Sequence, residues 1–190
     1  MKSNSLTILA LSLLLTASAA TNAYSVKIEG IYFKESFSTE DTKLKLRGTG
    51  LLRYLGFIKA YVGAFYLDEN CTIDEALTDR AKRIEVQYFR AIKGKDFGPA
   101  TDKSISKNVD AETFERLRPQ IDYHNSLYVD VQPGDRYSLT YIPGVGTELA
   151  LNGEPRGVIE GAEFAAALFA IWIGQEPIDK SFKKQILGMR

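Results

Sequence analysis

Residues 48–67 decide the fold of this chain, and they read Gly-Thr-Gly-Leu-Leu-Arg-Tyr-Leu-Gly-Phe-Ile-Lys-Ala-Tyr-Val-Gly-Ala-Phe-Tyr-Leu. Beyond Lys59, residues 58–67 are apolar on both faces, which predicts a strand that lies centrally in a sheet and is covered on both sides. The preceding residues 44–50 alternate between apolar and basic side chains, as a strand does. The two strands together predict a covered hairpin.

The rest of the chain alternates further strands with helices. Turn signals such as the Asn-Gly pair at 152–153 separate the later strands, and a proline at 119 predicts a kink in the second helix. We predict one strand or two at 26–33, where Gly30 makes a break, and further strands at 83–89, 137–142, 147–151 and 155–159. We predict a short helix from 72 to 77 and longer helices at 96–108, 110–128, 162–173 and 178–186. This order predicts an α+β domain, a mostly antiparallel sheet with helices gathered on one face.

Residues 1–23 have the pattern of a secretory signal peptide. Lys2 precedes a ten-residue, mostly apolar run, and small residues follow it. The small residues allow cleavage after Ala19, Ala20 or Ala23. The alternative is an uncleaved anchor, but the run is too short for a bilayer core of about 30 Å. We therefore expect export to the periplasm or the extracellular space, no membrane span after cleavage, and a single domain at 24–190.

Composition excludes several classes of function. The 190 residues include 24 Lys plus Arg and 24 Asp plus Glu, so the formal net charge is zero. Neutrality argues against nucleic-acid partners and against membrane attachment through a polybasic patch. A single histidine, His124, and a single cysteine, Cys71, leave no basis for a thiolate or imidazole metal site, and no cofactor is predicted. We expect His124 to be a surface or helix-packing residue, and Cys71 a buried, unreactive thiol.

Arg53 is the unusual residue, since it is a fixed cation in the covered hairpin. If residues 56–58 form a three-residue loop, Arg53 and Tyr61 face each other; a loop of different length makes them staggered neighbours. Such a pair can hold a carboxylate while apolar surroundings accept a chain or ring. The alternative is that Arg53 pairs with a sheet-edge carbonyl or with an acid such as Glu85.

These residues also carry a family resemblance. Gly48-x-Gly50-x-x-Arg53, the run from 61 to 67, Tyr-Ile-Pro-Gly-Val-Gly-Thr at 141–147 and the helix at 164–174 occur in order. The series resembles the chalcone isomerase-like family, most of all its secreted bacterial branch, over residues 30–188. The resemblance implies an open-faced β-sandwich, a large antiparallel sheet with a layer of helices and a cleft between them.

The resemblance also implies site residues, position by position. The arginine that steers the substrate in the plant isomerases matches Arg53, and a threonine that polarises the carbonyl falls on Tyr61. A tyrosine and an asparagine of the isomerases fall near Phe97 and Ser104, and a second threonine near Ala165. The fatty-acid-binding branch of the family is similar to this chain in having arginine with tyrosine.

Three functions remain open at the level of sequence. The first is a non-catalytic binder of a fatty acid or similar amphiphile, with Arg53, Tyr61, Phe97, Ser104 and Ala165 at the ligand. The second is an intramolecular lyase of the chalcone isomerase type, which loses polar groups at Phe97 and Ala165 that would stabilise developing charge. The third is an envelope protein that binds another, unidentified protein.

Overall fold

The computed structural model of the protein describes residues 25–38 and 42–189, so the expected signal peptide lies outside the described residues. The strands are β1 (Ser25–Ile28), β2 (Ile31–Lys34), β3 (Ser36–Ser38), β4 (Lys43–Tyr54), β5 (Ile58–Asp68), β6 (Lys82–Tyr88), β7 (Arg136–Ile142), β8 (Gly146–Leu151) and β9 (Glu154–Ile159). The helices are α1 (Gly94–Ile105), α2 (Ala111–Arg116), α3 (Arg118–Ser126), α4 (Ala162–Ile173) and α5 (Lys180–Ile186).

Strands β3 to β9 form one antiparallel sheet in which each strand pairs with its neighbours in sequence. The central position expected for residues 58–67 is confirmed, because β5 lies between β4 and β6 and is buried from Tyr61 to Leu67. Strands β1 and β2 form a separate hairpin. The α+β class with a large antiparallel sheet is therefore confirmed.

The two faces of the sheet are covered by different elements. On one face, sheet residues such as Phe65 and Ile84 pack with Phe164 and Leu168 of α4 in the larger of two apolar clusters. On the other face, Val62, Ala64 and Tyr66 pack with residues of the β1–β2 hairpin. Alternate residues of β5 thus enter different clusters, as the pleat of a strand requires.

Glycines on β4 and β5 allow α5 to lie directly on the sheet. A Cβ atom on Gly48 would lie 2.3 Å from the carbonyl oxygen of Gln185, and one on Gly63 would lie 2.7 Å from Cζ of Phe182. Either distance is too short for a real contact. The Gly-x-Gly pair at 48–50 is therefore a packing surface for a helix.

Two helical predictions need correction. The segment 110–128 is not one kinked helix, because α2 ends at Arg116 and α3 begins at Arg118, with Pro119 in its first turn. Proline lacks the N–H that a helix interior needs but is accommodated in a first turn, so it begins a new helix. The short helix expected from 72 to 77 is a single 3-10 turn, Ile73–Glu75, held by hydrogen bonds between Thr72 and Glu75.

Candidate ligand-binding cavity

A cavity of about 190 Å³ lies between the sheet and the helices. Strands β5 and β6 form its floor, α1 one wall, and the carboxyl end of α4 with the segment that follows it another. Its lining is largely apolar and aromatic and consists of Tyr61, Tyr88, Ile92, Asp96, Phe97, Ala100, Thr101, Ser104, Tyr128, Ile171, Trp172 and Ile178. A smaller void of about 20 Å³ borders Tyr88, Tyr128 and Trp172 as well.

Tyr61 supplies a fixed polar group in this apolar lining. The indole Nε1–H of Trp172 donates to its hydroxyl oxygen over 3.0 Å. Because an indole only donates, the Tyr61 oxygen is the acceptor in this bond and its own O–H remains free to donate. No acceptor for that O–H occurs among the described residues. Burial raises the pKa of Tyr61 far above its ordinary value, so this phenol remains a donor at physiological pH.

Two more tyrosines stand around the cavity. Tyr88 pairs with Tyr61 across β5 and β6, with ring centroids 5.7 Å apart in an edge-to-face arrangement. The hydroxyl oxygen of Tyr128 lies 3.5 Å from Nε2 of His124. Burial raises the pKa values of Tyr88 and Tyr128 and lowers the pKa of His124 to about 4. All three groups are therefore neutral near pH 7, and His124 is a buried packing residue, one of the two roles expected for it.

The structure corrects the expected position of Arg53. Leu52 pairs with Tyr61, whereas Arg53 pairs with Lys59, so Ala60 is an extra residue in β5 and forms a β-bulge. Paired residues share a face of the sheet and successive residues alternate. Arg53 therefore projects from the face opposite to Tyr61 and is exposed to solvent. Leu52, which is buried, is the residue of β4 beside Tyr61.

The alternative partner expected for Arg53 is also wrong. Glu85 pairs with two other arginines, Arg83 at 2.7 Å and Arg136 at 3.2 Å. Arg53 itself forms no hydrogen bond or ion pair within residues 25–38 and 42–189. Among the residues that the structure describes, no lysine or arginine lines the cavity, so an anionic head group would find no cation from them there.

The other expected site residues divide into two groups. Phe97 and Ser104 line the cavity from α1, as does Tyr61 from the sheet. The Ser104 hydroxyl donates to the carbonyl of Ala100 within its own helix, over 2.8 Å. Ala165 is buried in the first turns of α4, whereas the cavity touches this helix only at Ile171 and Trp172. Ala165 is therefore a core residue and no part of the lining.

Tyr88, Tyr128, Trp172 and Asp96 line the cavity but were not expected as site residues. Tyr88 occurs in a predicted strand, but its position opposite Tyr61 depends on the register between β5 and β6. Thirteen residues connect these two strands, so the sequence does not determine that register. Trp172 is the chain's single tryptophan, in a helix whose other side chains are apolar except for Glu163. A buried tryptophan usually has a hydrogen-bond acceptor for its N–H, so this residue is the signal in the sequence that a polar group lies beside α4.

The described part of the chain offers no metal site, reactive thiol or membrane-spanning helix. Residues 25–38 and 42–189 contain no group of three or more His, Cys, Asp or Glu that could hold a metal ion. Cys71 is buried, and desolvation raises the pKa of its thiol. None of the helices described is long and apolar enough to cross a membrane.

Comparison with known proteins assigns the fold to a family. A family model described as chalcone isomerase-like matches residues 25–188. The chain belongs to the chalcone isomerase-like family. A search of curated proteins finds no significant match. Among solved structures, this chalcone isomerase-like chain is similar to the fatty-acid binding protein AtFAP1 of Arabidopsis thaliana, with a TM-score of 0.70 and 20% sequence identity. The alignment covers 86% of this chain and 96% of that one, and it confirms the open-faced β-sandwich.

Proposed function

We propose that the protein is an exported, non-catalytic binder of a fatty acid or a similar small amphiphile. The observation that carries this proposal is the apolar cavity with the hydroxyl of Tyr61 directed by Trp172. The apolar walls accept a hydrocarbon chain, and the phenol donates a hydrogen bond to an acceptor atom of the polar head. The fold similarity to a protein described as fatty-acid binding supports this class of ligand.

The residues around the cavity favour binding over catalysis. Phe97 and Ala165 lie near the positions where the family resemblance gives the isomerases a tyrosine and a threonine hydroxyl, and neither side chain can donate a hydrogen bond. Arg53 lies on the opposite face of the sheet and does not reach the cavity. Donors aimed at developing negative charge supply a large share of catalysis in such reactions, and the positions of Phe97 and Ala165 lack the hydroxyl groups that the resemblance implies for them.

Export of the protein is part of the proposal and has support of a different kind. Residues 1–23 combine a basic start, a short apolar run and small residues, as signal peptides do. Edman sequencing or intact mass of the protein recovered from the producing cells tests this part. An N-terminus at residue 20, 21 or 24 is expected, and an intact residue 1 would refute it.

Native mass spectrometry of the purified protein tests the binding function. We expect a bound amphiphile, and after delipidation we expect dodecanoate or its neutral counterpart dodecanol to bind with one-to-one stoichiometry. Ala100→Phe should abolish binding, because it places a ring in the cavity, and Tyr61→Phe should reduce affinity about tenfold by removing one hydrogen bond. Failure of the wild-type protein to bind any fatty acid or alcohol would overturn the proposal.

Two variants serve as matched controls for this experiment. Tyr123→Phe makes the same chemical change on an exposed ring of α3, outside the cavity, and should leave affinity unchanged. Arg53→Gln should also leave it unchanged within about twofold, because the guanidinium is on the other face of the sheet. A large loss in Arg53→Gln would instead restore Arg53 to the site and contradict the position found for it.

A further inference from the structure

The tip of the β4–β5 hairpin exposes three large apolar side chains side by side. The exposed fraction is 62% for Tyr54, 66% for Leu55 and 72% for Phe57. Leu55 has a φ of +52°, in the left-handed region. A leucine there carries a steric cost that asparagine or glycine would largely avoid. Neither the turn nor the core accounts for an apolar residue at this position.

We propose that this tip inserts into the interface of an anionic lipid bilayer. The aromatic side chains of Tyr54 and Phe57 are of the type that lies at the level of lipid head groups, and Leu55 extends the apolar surface between them. Arg53 stands at the base of the tip, exposed and without an ion-pair partner in the described parts of the chain. Its charge is therefore available to lipid phosphates.

The charges around the tip favour an anionic surface. Lys59 on the opposite strand donates to Glu29 over 2.5 Å, and Arg53 acts on the same carboxylate at longer range, so the three groups together carry a net charge of +1. The neutral composition of the chain excludes a polybasic attachment, but insertion of apolar side chains with a single cation needs no such patch.

The size of the tip argues against a protein partner. The aromatic side chains of Tyr54 and Phe57 bury at most about 150–250 Å² each, and the smaller Leu55 buries no more than they do. Their sum falls short of the roughly 800 Å² that each partner buries in a standard protein interface. A convex hairpin end also offers no groove to a rigid partner, whereas a bilayer interface closes around it.

The tip lies at the same end of the sheet as the cavity. Tyr61 lines the cavity three residues after the hairpin turn ends at Ile58, and Tyr88 beside it is the last residue of β6. Ile178, which is 48% exposed, lines the cavity toward solvent. Insertion of the tip would therefore bring the cavity close to the lipid surface. The use of this closeness, delivery of an amphiphile between bilayer and cavity, rests on the proposed function. Binding of the tip to the bilayer does not.

A tryptophan at the tip tests insertion directly. Phe57→Trp and Val145→Trp each add a tryptophan to an exposed turn, and the turn with Val145 lies between β7 and β8, at the opposite end of the strands. With the wild-type spectrum subtracted, vesicles of equal parts phosphatidylcholine and phosphatidylglycerol should shift the emission of the Phe57→Trp variant to the blue. Brominated lipids should quench that emission. The Val145→Trp variant should show neither effect.

Sedimentation with the same vesicles measures the contribution of each residue. The double variant Leu55→Asn, Phe57→Ser should lower partitioning about tenfold or more, and it should fold, because asparagine suits the left-handed position. Arg53→Gln should lower partitioning about fivefold on mixed vesicles and leave pure phosphatidylcholine unaffected. Each variant is compared in the form that cells produce, with its N-terminus established by intact mass.

The possible outcomes separate this proposal from the binding function. An unshifted Phe57→Trp spectrum, or equal quenching at both turns, would overturn insertion of the tip. A shift that depends on protein concentration without vesicles would show self-association and overturn it too. Tyr61→Phe should bind vesicles as the wild type does, so loss of amphiphile binding leaves the bilayer proposal standing, and the reverse also holds.

Discussion

The indole of Trp172 and the phenol of Tyr61 form a hydrogen bond of 3.0 Å that links α4 to the central strand of the sheet. Tyr61 is 8% exposed, and its ring also packs edge-on against Phe182 of α5, with centroids 5.4 Å apart. Two helices thus hold Tyr61 in place, α4 through the hydrogen bond to its hydroxyl and α5 through the packing of its ring. The same bond orients the donor that the cavity offers to a ligand.

Removing either partner of this bond should cost stability. We expect Trp172→Phe and Tyr61→Phe each to lower the free energy of unfolding by about 1–2 kcal/mol, since each leaves a polar group without its partner. The double variant should lose less than the sum, with a coupling energy of about 1 kcal/mol. Urea denaturation followed by circular dichroism measures all three. Strict additivity would show that the bond contributes nothing.

His124 should make the protein acid-sensitive. Burial lowers its pKa to about 4 in the folded protein, against about 6.5 in an unfolded chain. As the pH falls from 6.5 to 4, the unfolded chain binds a proton that the folded protein does not, so the free energy of unfolding decreases. We expect wild type to lose on the order of 3 kcal/mol relative to His124→Phe between pH 7 and pH 4. Parallel loss in both proteins would contradict this.

The close approach of α5 to the sheet predicts a penalty at Gly63. An added methyl group would lie 2.7 Å from Cζ of Phe182 and 3.1 Å from the carbonyl oxygen of Glu85. We expect Gly63→Ala to lower the free energy of unfolding by about 1–3 kcal/mol, as overpacking does. In a protein that already carries Phe182→Leu, Gly63→Ala should lower the free energy of unfolding by less, because the shorter side chain removes the nearer contact. A double variant with fully additive losses would contradict this cause.

The fold was predictable because its signals are local. The two-sided apolar pattern of residues 58–67 predicts an interior strand, as β5 is, and the apolar run at 162–173 coincides with α4. Errors occurred where a local signal has two outcomes. Pro119 disfavours a helix interior and favours a helix start, and the periodicity of 110–128 does not distinguish a kink from two helices.

The site was less predictable because it depends on register. The loop has the three residues that the sequence predicts but lies at 55–57 rather than 56–58, and the bulge at Ala60 then places Arg53 on the face opposite to Tyr61. A bulge of one residue changes the face of every side chain beyond it and leaves no mark on hydrophobic spacing this close to a turn. The pairing of Tyr61 with Tyr88 likewise follows from tertiary contacts across a long connection.

Asp96 should determine which head group the cavity prefers. It is an exposed carboxylate in the first turn of α1 that lines the cavity, and no cation in the described part of the chain lines the cavity beside it. Lys93, which interacts electrostatically with Asp96, lies outside the lining and is bound to Asp130. A bound carboxylate would be repelled, so Asp96→Asn should raise the affinity for dodecanoate about two- to fivefold at low salt and leave dodecanol unaffected. Isothermal titration calorimetry measures both, and added salt should shrink the difference because it screens exposed charges.

Glu115→Gln is the matched control for Asp96→Asn. It removes the same charge from an exposed position on α2, outside the cavity lining, and should leave both affinities unchanged. Binding must be compared rather than stability, because a carboxylate in a helix's first turn stabilises that helix and Asp96→Asn loses this contribution. An equal gain for dodecanoate and dodecanol would mean that Asp96 acts through the shape of the cavity. In that case the charge of Asp96 would not select between a carboxylate and a neutral head group, and the prediction would be wrong.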